Sequence, residues 1–253
     1  MKIVRYQEGS STQWGVIEEG MIREMDGDPF GQFHLSSRTI KMEEARLLSP
    51  CLPSKIVALG LNYRDHAEEV KMPIPEKPLL FMKPSTSVIG PGEAIVYPKM
   101  SRRLDYEAEL AVVIGKKAKS VPEEKAGEYI LGYTCLNDVT ARDLQPKDGQ
   151  WTLSKGFDTF APIGPWIVTD IDPHHLEIAA FLNGERRQYS NTKNLIFGPH
   201  RLVSYISSVM TLLPGDVIAT GTPSGIGRMS VGDRVDVVIE GIGALTNTIV
   251  AEE

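Results

Sequence analysis

Apolar and polar positions along this chain alternate mostly with the two-residue period of β-strands, broken by a few short helical stretches. The most informative run is Leu104-Asp105-Tyr106-Glu107-Ala108-Glu109-Leu110-Ala111-Val112-Val113-Ile114-Gly115. Leu104, Tyr106, Ala108, Leu110, Val112 and Ile114 fall on one side; Asp105, Glu107, Glu109, Ala111 and Val113 fall on the other. Successive strand side chains alternate faces, so Glu107 and Glu109 point the same way. The strand continues with residues that are apolar on both faces. At roughly 4 Å and an effective dielectric near 20, two such charges repel by about 4 kcal/mol. A shared proton or a hard divalent cation would compensate. The alternative is an amphipathic edge strand with its acids in water.

The remaining pattern divides the chain. Residues 1–52 show short strand and turn signals and predict a small N-terminal domain, with Pro50 and Pro53 bracketing a linker; residues 53–253 predict the main domain. Ile56-Val57-Ala58-Leu59 is a candidate buried strand. After Gly60, residues 61–71 predict a short helix closed by Pro73 and Pro75. On that helix His66 and Glu69 are neighbours three residues apart. A carboxylate beside an imidazole orients it and raises its basicity, which suits a general base; a solvated pair is the commoner alternative. Leu79-Leu80-Phe81-Met82-Lys83 is apolar, residues 123–130 predict a helix behind Pro122, and 130–136 predict a strand ended by Asn137-Asp138. Residues 140–145 predict a turn of helix with Arg142 and Gln145 on one face. Arginine can grip a carboxylate through two hydrogen bonds; an Arg142-Asp143 surface pair is the alternative. Lys155 lies among apolar and small residues, where reaching solvent is the ordinary outcome.

Further on, Asn183-Gly184 predicts a hairpin turn, and Asp172-Pro173-His174-His175 reads as a turn rather than a metal site. Residues 198–212 predict a helix with a core stripe of Leu202, Ile206, Val209, Met210 and Leu213, stopped by Pro214-Gly215. The loop 221–227 offers amides suited to an anion but lacks the ending of a P-loop.

Composition narrows the function classes. The 253 residues carry a formal net charge of -6 without a basic cluster, which argues against nucleic acid as a partner. No apolar run approaches the ~20 residues that span a bilayer. Two cysteines, Cys51 and Cys135, form neither a disulfide framework nor a metal spacing, and the N-terminus turns polar early. A cytoplasmic protein is expected. No Gly-x-Gly-x-x-Gly motif follows a strand, which disfavours a nicotinamide dehydrogenase.

Taken together, Glu107, Glu109 and Asp138 supply three carboxylates from two strands. All-oxygen ligation favours Mg2+, Mn2+ or Ca2+ over zinc. Three carboxylates exceed a dication by one charge, which a lysine such as Lys155 would balance.

At this point the chain resembles the fumarylacetoacetate hydrolase family over about residues 54–250. The resemblance rests on Gly60-Leu61-Asn62-Tyr63-Arg64-Asp65-His66-Ala67-Glu68-Glu69, Leu104-Asp105-Tyr106-Glu107-Ala108-Glu109-Leu110, Asn137-Asp138-Val139-Thr140-Ala141-Arg142-Asp143-Leu144-Gln145, Lys155-Gly156-Phe157-Asp158-Thr159 and Thr220-Gly221-Thr222-Pro223-Ser224-Gly225, in family order. It implies a mainly β fold with a few helices, a mixed β-sandwich roll, in a homodimer. It implies Mg2+ or Mn2+ on Glu107, Glu109 and Asp138, with Ca2+ able to stand in within crystals. It also implies a catalytic His66-Glu69 dyad with Lys155, and substrate-facing Arg142, Gln145 and Thr222. Ala108 stands where the family often has glycine, and Gly156 where it often has serine. The implied chemistry runs on small 2-oxo or enol dicarboxylic acids through a metal-stabilised enolate. The favoured expectation is a 2-hydroxyhepta-2,4-diene-1,7-dioate isomerase-like enzyme of aromatic-compound catabolism. The alternatives are an acylpyruvate or fumarylacetoacetate-type C–C hydrolase, an oxaloacetate decarboxylase or tautomerase, and, in a different class, a binding protein for metal and dicarboxylate without turnover.

Overall fold

The two-residue period of the acidic run becomes two strands, Leu104–Tyr106 and Ala108–Ile114, in a computed structural model that describes residues 1–146 and 150–253. Ala108 to Ile114 are buried on both faces, as the apolar sequence requires. The fold is mainly β, with three sheets and short helices.

The largest sheet runs Phe33–Lys41, Met21–Gly27, Ser11–Glu18, Lys2–Glu8, Ala161–Val168, Ile130–Asn137, Ala108–Ile114, Val217–Ala219, Ile56–Leu59 and Leu80–Lys83. The N-terminal strands extend this sheet, because Lys2 and Ile3 pair with Val168 and Ile167. A five-stranded sheet orders Glu185–Asn191, Glu177–Leu182, Arg234–Ile239, Gly243–Ala251 and Ala94–Tyr97. A small third sheet joins Thr140–Ala141, Leu104–Tyr106 and Gly227–Met229.

Strand alternation sorts the core. Leu110, Val112 and Ile114 pack with Ile178, Val237 and Leu245 of the five-stranded sheet and with Leu202 and Ile206 of helix Pro199–Val209. Ala111 and Val113 pack on the opposite side with Ile3, Val16 and Ile163. The Asn183-Gly184 hairpin forms as expected. The 198–212 helix is shorter than its pattern. Met210 is extended, with φ -136 and ψ 156, so the helical period lapses and Val209 and Leu213 are exposed. Residues 123–129 are a 3-10 helix, and 140–145 form a short strand followed by a 3-10 turn, Arg142–Leu144.

What positions the site is a crossing between sheets. Ala108 pairs with Asn137 in the large sheet, whereas Leu104 and Asp105 pair with Ala141 and Thr140 in the small one. Glu107 and Asp138 occupy the joint, where the Asp138 N–H donates to the Glu107 carbonyl at 2.9 Å. Leaving one sheet for another turns both side chains out of the regular pleat and toward each other.

Candidate metal centre

At that joint the Glu107, Glu109 and Asp138 carboxylates each offer an oxygen within 4.8 Å of the others, and all three are buried. The edge-strand alternative with solvated acids does not hold. Glu107 Oε2 accepts from Lys155 Nζ at 2.8 Å, and its Oε1 accepts from Arg142 Nη2. Asp138 Oδ2 accepts from Lys155 Nζ at 2.6 Å, and its Oδ1 accepts from Lys83 Nζ at 2.5 Å. Glu109 Oε2 accepts from the Gly221 N–H at 2.8 Å, but its Oε1, buried, has no partner among the described residues. A buried carboxylate oxygen left unsatisfied is costly and rare. It fits a centre meant to hold a hard cation, and the all-oxygen donor set fits Mg2+ or Mn2+.

The charges explain the tension. Burial pushes the Glu109 carboxyl well up, and the Asp138 and Glu107 charges push it further, only partly opposed by Lys155 and Gly221. Burial alone would raise Glu107 too, but Lys155 and Arg142 outweigh it and hold that carboxyl down to about 2. Burial works to lower Lys155, yet Asp138 and Glu107 prevail and raise it. For Lys83 burial wins and the ammonium is lowered, against the pull of Asp138.

Asp105 and Lys83 are two groups that sequence reasoning missed. Asp105, fully buried, accepts from Arg142 Nε at 2.9 Å and from Arg103 Nε at 2.9 Å. Its signal was present: it shares strand parity with Glu107 and Glu109. Lys83, the polar end of an apolar strand, is fully buried and also donates to the Val139 carbonyl at 3.1 Å. Nothing local distinguished it from a solvent-reaching lysine.

With Glu109 ionised, as a bound cation requires, and leaving aside the half-exposed Arg103, the carboxylates of Asp105, Glu107, Glu109 and Asp138 exceed Lys83, Lys155 and Arg142 by one charge. A dication would turn this excess positive by one, which suits an anionic substrate.

The Arg142-Asp143 surface pair, the alternative reading, is not made. Asp143 instead accepts from Ser101 Oγ and the Arg102 N–H, while Arg142 Nη1 donates to Gln145 Oε1 at 2.6 Å. Thr222 is buried. Its hydroxyl donates to the Ala108 carbonyl and accepts from Gln188 Nε2, both at 2.9 Å, which braces the residue between the two glutamates.

Helix Arg64–Glu69 stands nearby. His66 Nδ1 lies 2.9 Å from Glu69 Oε2, and Glu69 Oε1 accepts from the Gly225 N–H at 3.0 Å. The 221–227 loop thus uses its amides on two of the protein's own carboxylates, Glu69 and Glu109. A cavity of about 620 Å³ is lined by His66, Arg142 and Gln145, with Leu61, Leu79 and Trp151 supplying apolar surface. Arg142 spans the gap, touching both the cavity and Glu107. The His174-His175 turn takes no part; His174 packs edge-on against His200 with ring centroids 5.7 Å apart.

Residues 55–250 match the family model described as fumarylacetoacetate (FAA) hydrolase C-terminal. The chain belongs to the fumarylacetoacetate hydrolase family. Residues 1–50 match a second model, Rv2993c-like, N-terminal. Among solved members of this enzyme family, 2-hydroxyhepta-2,4-diene-1,7-dioate isomerase from Mycobacterium marinum is 43% identical, with a TM-score of 0.93 over 100% of this chain and 99% of that one. Maleylpyruvate hydrolase from Sphingobium sp. SYK-6, in complex with manganese(II) and pyruvate, is 30% identical with a TM-score of 0.83 over all of both chains. The mitochondrial oxaloacetate tautomerase Fahd2a of Rattus norvegicus is 41% identical over 223 residues, 83% of this chain and 71% of the rat protein. Isomerases, hydrolases and tautomerases therefore share this fold and this chain's family. No helix among the described residues is long and apolar enough to cross a membrane.

Proposed function

We propose that the protein is a Mg2+- or Mn2+-dependent enzyme that shifts a proton along the enol of a 2-oxo dicarboxylic acid. Its closest reaction type is that of a 2-hydroxyhepta-2,4-diene-1,7-dioate isomerase. The observation that carries this reading is the buried Glu107-Glu109-Asp138 cluster, with its unpartnered Glu109 oxygen, beside a cavity reached by Arg142. Glu107, Glu109 and Asp138 are the residues that would hold the ion. When bound, it supplies Lewis-acid stabilisation of negative charge on a substrate oxygen.

The chain's own residues do the rest. Arg142, aligned by Asp105 and Gln145, offers guanidinium N–H groups to a substrate carboxylate. Lys155 keeps a positive charge between Glu107 and Asp138, next to where an enolate oxygen would gain charge. His66, with Nδ1 turned to Glu69, has a second ring nitrogen with no partner among the described residues, which can take and return a proton. A base so placed typically contributes 10²–10⁴-fold. The apolar wall with Leu61, Leu79 and Trp151 receives the chain of the substrate and excludes water.

The same proton shift, shortened to four carbons, is oxaloacetate tautomerisation, a second reading favoured by the 41% identity to the rat tautomerase. Both readings take the protein as a homodimer, which sedimentation measures. The deciding experiment follows enol–keto conversion of oxaloacetate and of 2-hydroxydienoic diacids with Mg2+, Mn2+ or EDTA. Activity should need the metal and vanish in Glu107→Ala. Undiminished turnover in EDTA overturns the metal reading, and saturable binding without turnover overturns the enzyme reading.

A further inference from the structure

Trp151 is held by three separate segments. Its six-membered ring lies so close to Gly60 that a Cβ there would come within 2.6 Å of Cη2 and Cζ3. Its ring meets Phe81 edge-on, centroids 5.1 Å apart and planes at 72°. Its indole Nε1 donates to the Pro146 carbonyl at 3.1 Å. The seat is tied to the sheet: Gly60 directly follows strand Ile56–Leu59, and its N–H donates to the Leu79 carbonyl at 3.0 Å. A large aromatic side chain is thereby fixed against backbone, while the ring still forms part of the cavity surface that His66 and Arg142 also line.

We propose that Trp151, seated on Gly60, is the specificity wall of the cavity and sets the length of the 2-oxo acid that fits. The inference rests on the functional reading above and deepens it: Arg142 and the carboxylate cluster fix the reacting end of the substrate, and the far end of its carbon chain meets the indole. Any larger residue at position 60 would drive into the ring, so glycine is required there by close approach. A ring anchored on three sides cannot swing aside as a flexible side chain could, so the limit on chain length is sharp.

The test is a ligand series that does not depend on turnover. Binding of pyruvate and of straight-chain 2-oxo acids of increasing length, in the presence of Mn2+, is followed by calorimetry for the wild type, Trp151→Ala, Trp151→Phe and Gly60→Ala. In the wild type affinity should rise with each methylene and then break off at a defined length. In Trp151→Ala the break moves to chains at least two carbons longer, with about a tenfold gain for the longest acids relative to pyruvate. Trp151→Phe, which restores an aromatic wall, moves the break back toward the wild-type length, and Gly60→Ala, which unseats the ring, changes it. Melting curves establish that each variant is folded; if Trp151→Ala is not, the Phe and Gly60 variants decide. An unchanged length profile in the folded variants overturns the wall. Failure of the wild type to bind any 2-oxo acid overturns the functional reading itself.

Discussion

Glu109 sits where burial, two neighbouring carboxylates and an unsatisfied oxygen all oppose its ionisation. A cation that requires the ionised form must displace its proton. Affinity for Mn2+ is therefore expected to rise with pH and binding to release a proton; calorimetry in buffers of different ionisation enthalpy reads both, and Glu109→Gln should remove the proton release. In the metal-free protein the raised folded-state value means that ionising Glu109 costs stability as pH climbs above the ordinary carboxylate range. Glu107 has the opposite sign. Its folded value, down to about 2, stabilises the fold above its ordinary 4.5, and that contribution disappears as pH falls from 4.5 to about 2. Acid titration of thermal stability should flatten over that window in Glu107→Gln. At Lys83 the partner is a fully buried Asp138, and removing one member of a buried pair costs about 3–5 kcal/mol. Lys83→Met should lose stability of that order in urea unfolding of the metal-free protein; a loss below ~1 kcal/mol would mean that Asp138 is satisfied without it.

Two elements carry the site's precision. The loop after strand Val217–Ala219 brings Gly221 to φ +95, and an added Cβ would stand 2.8 Å from that of Asn62. The same residue's N–H holds Glu109 Oε2. Gly221→Ala is expected to cost at least the ~1–2 kcal/mol of a left-handed L-residue and to weaken Mn2+ binding along with stability. Normal Mn2+ affinity in that variant would show that the amide is dispensable. Helix Arg64–Glu69, only six residues long, is too short to persist alone. It is pinned by Ser190 Oγ donating to Asp65 Oδ2 at 2.5 Å and by Gly225 donating to Glu69. Glu69 thus both orients His66 and fastens the helix. Its sequence spacing to His66 was readable, because i and i+3 are local; its bond to Gly225, 156 positions away, was not.

Over the whole molecule, the N-terminal strands and the strands that carry the carboxylate cluster belong to one continuous sheet. Strand Ala161–Val168 is covered along one side by Lys2–Glu8 and Val88–Ile89, and Ile3, Val16 and Met25 pack in the same core as Ala111 and Val113. Deleting residues 1–50 should expose that edge and part of that core, giving aggregation by size-exclusion chromatography and a lowered melting temperature. A monodisperse truncated protein with unchanged melting would refute it.

The apolar run 110–114 and the two-residue period of 104–114 by themselves marked a strand and set two glutamates two positions apart, because strand periodicity is a local property of the backbone; that the strand is buried and that Glu107 leaves the pleat at the joint were decided by the fold. The spacing of His66 and Glu69, the turn at Asn183-Gly184 and the family motifs were legible for the same reason. The resemblance implied that Asp138 joins those glutamates; only the tertiary structure showed how, at the joint of two sheets. It alone showed that Lys83 and Asp105 are buried partners rather than solvated charges, and that Gly60 is a seat for Trp151. Such pairings join residues tens of positions apart, and no repeat along the chain encodes a distance across the fold.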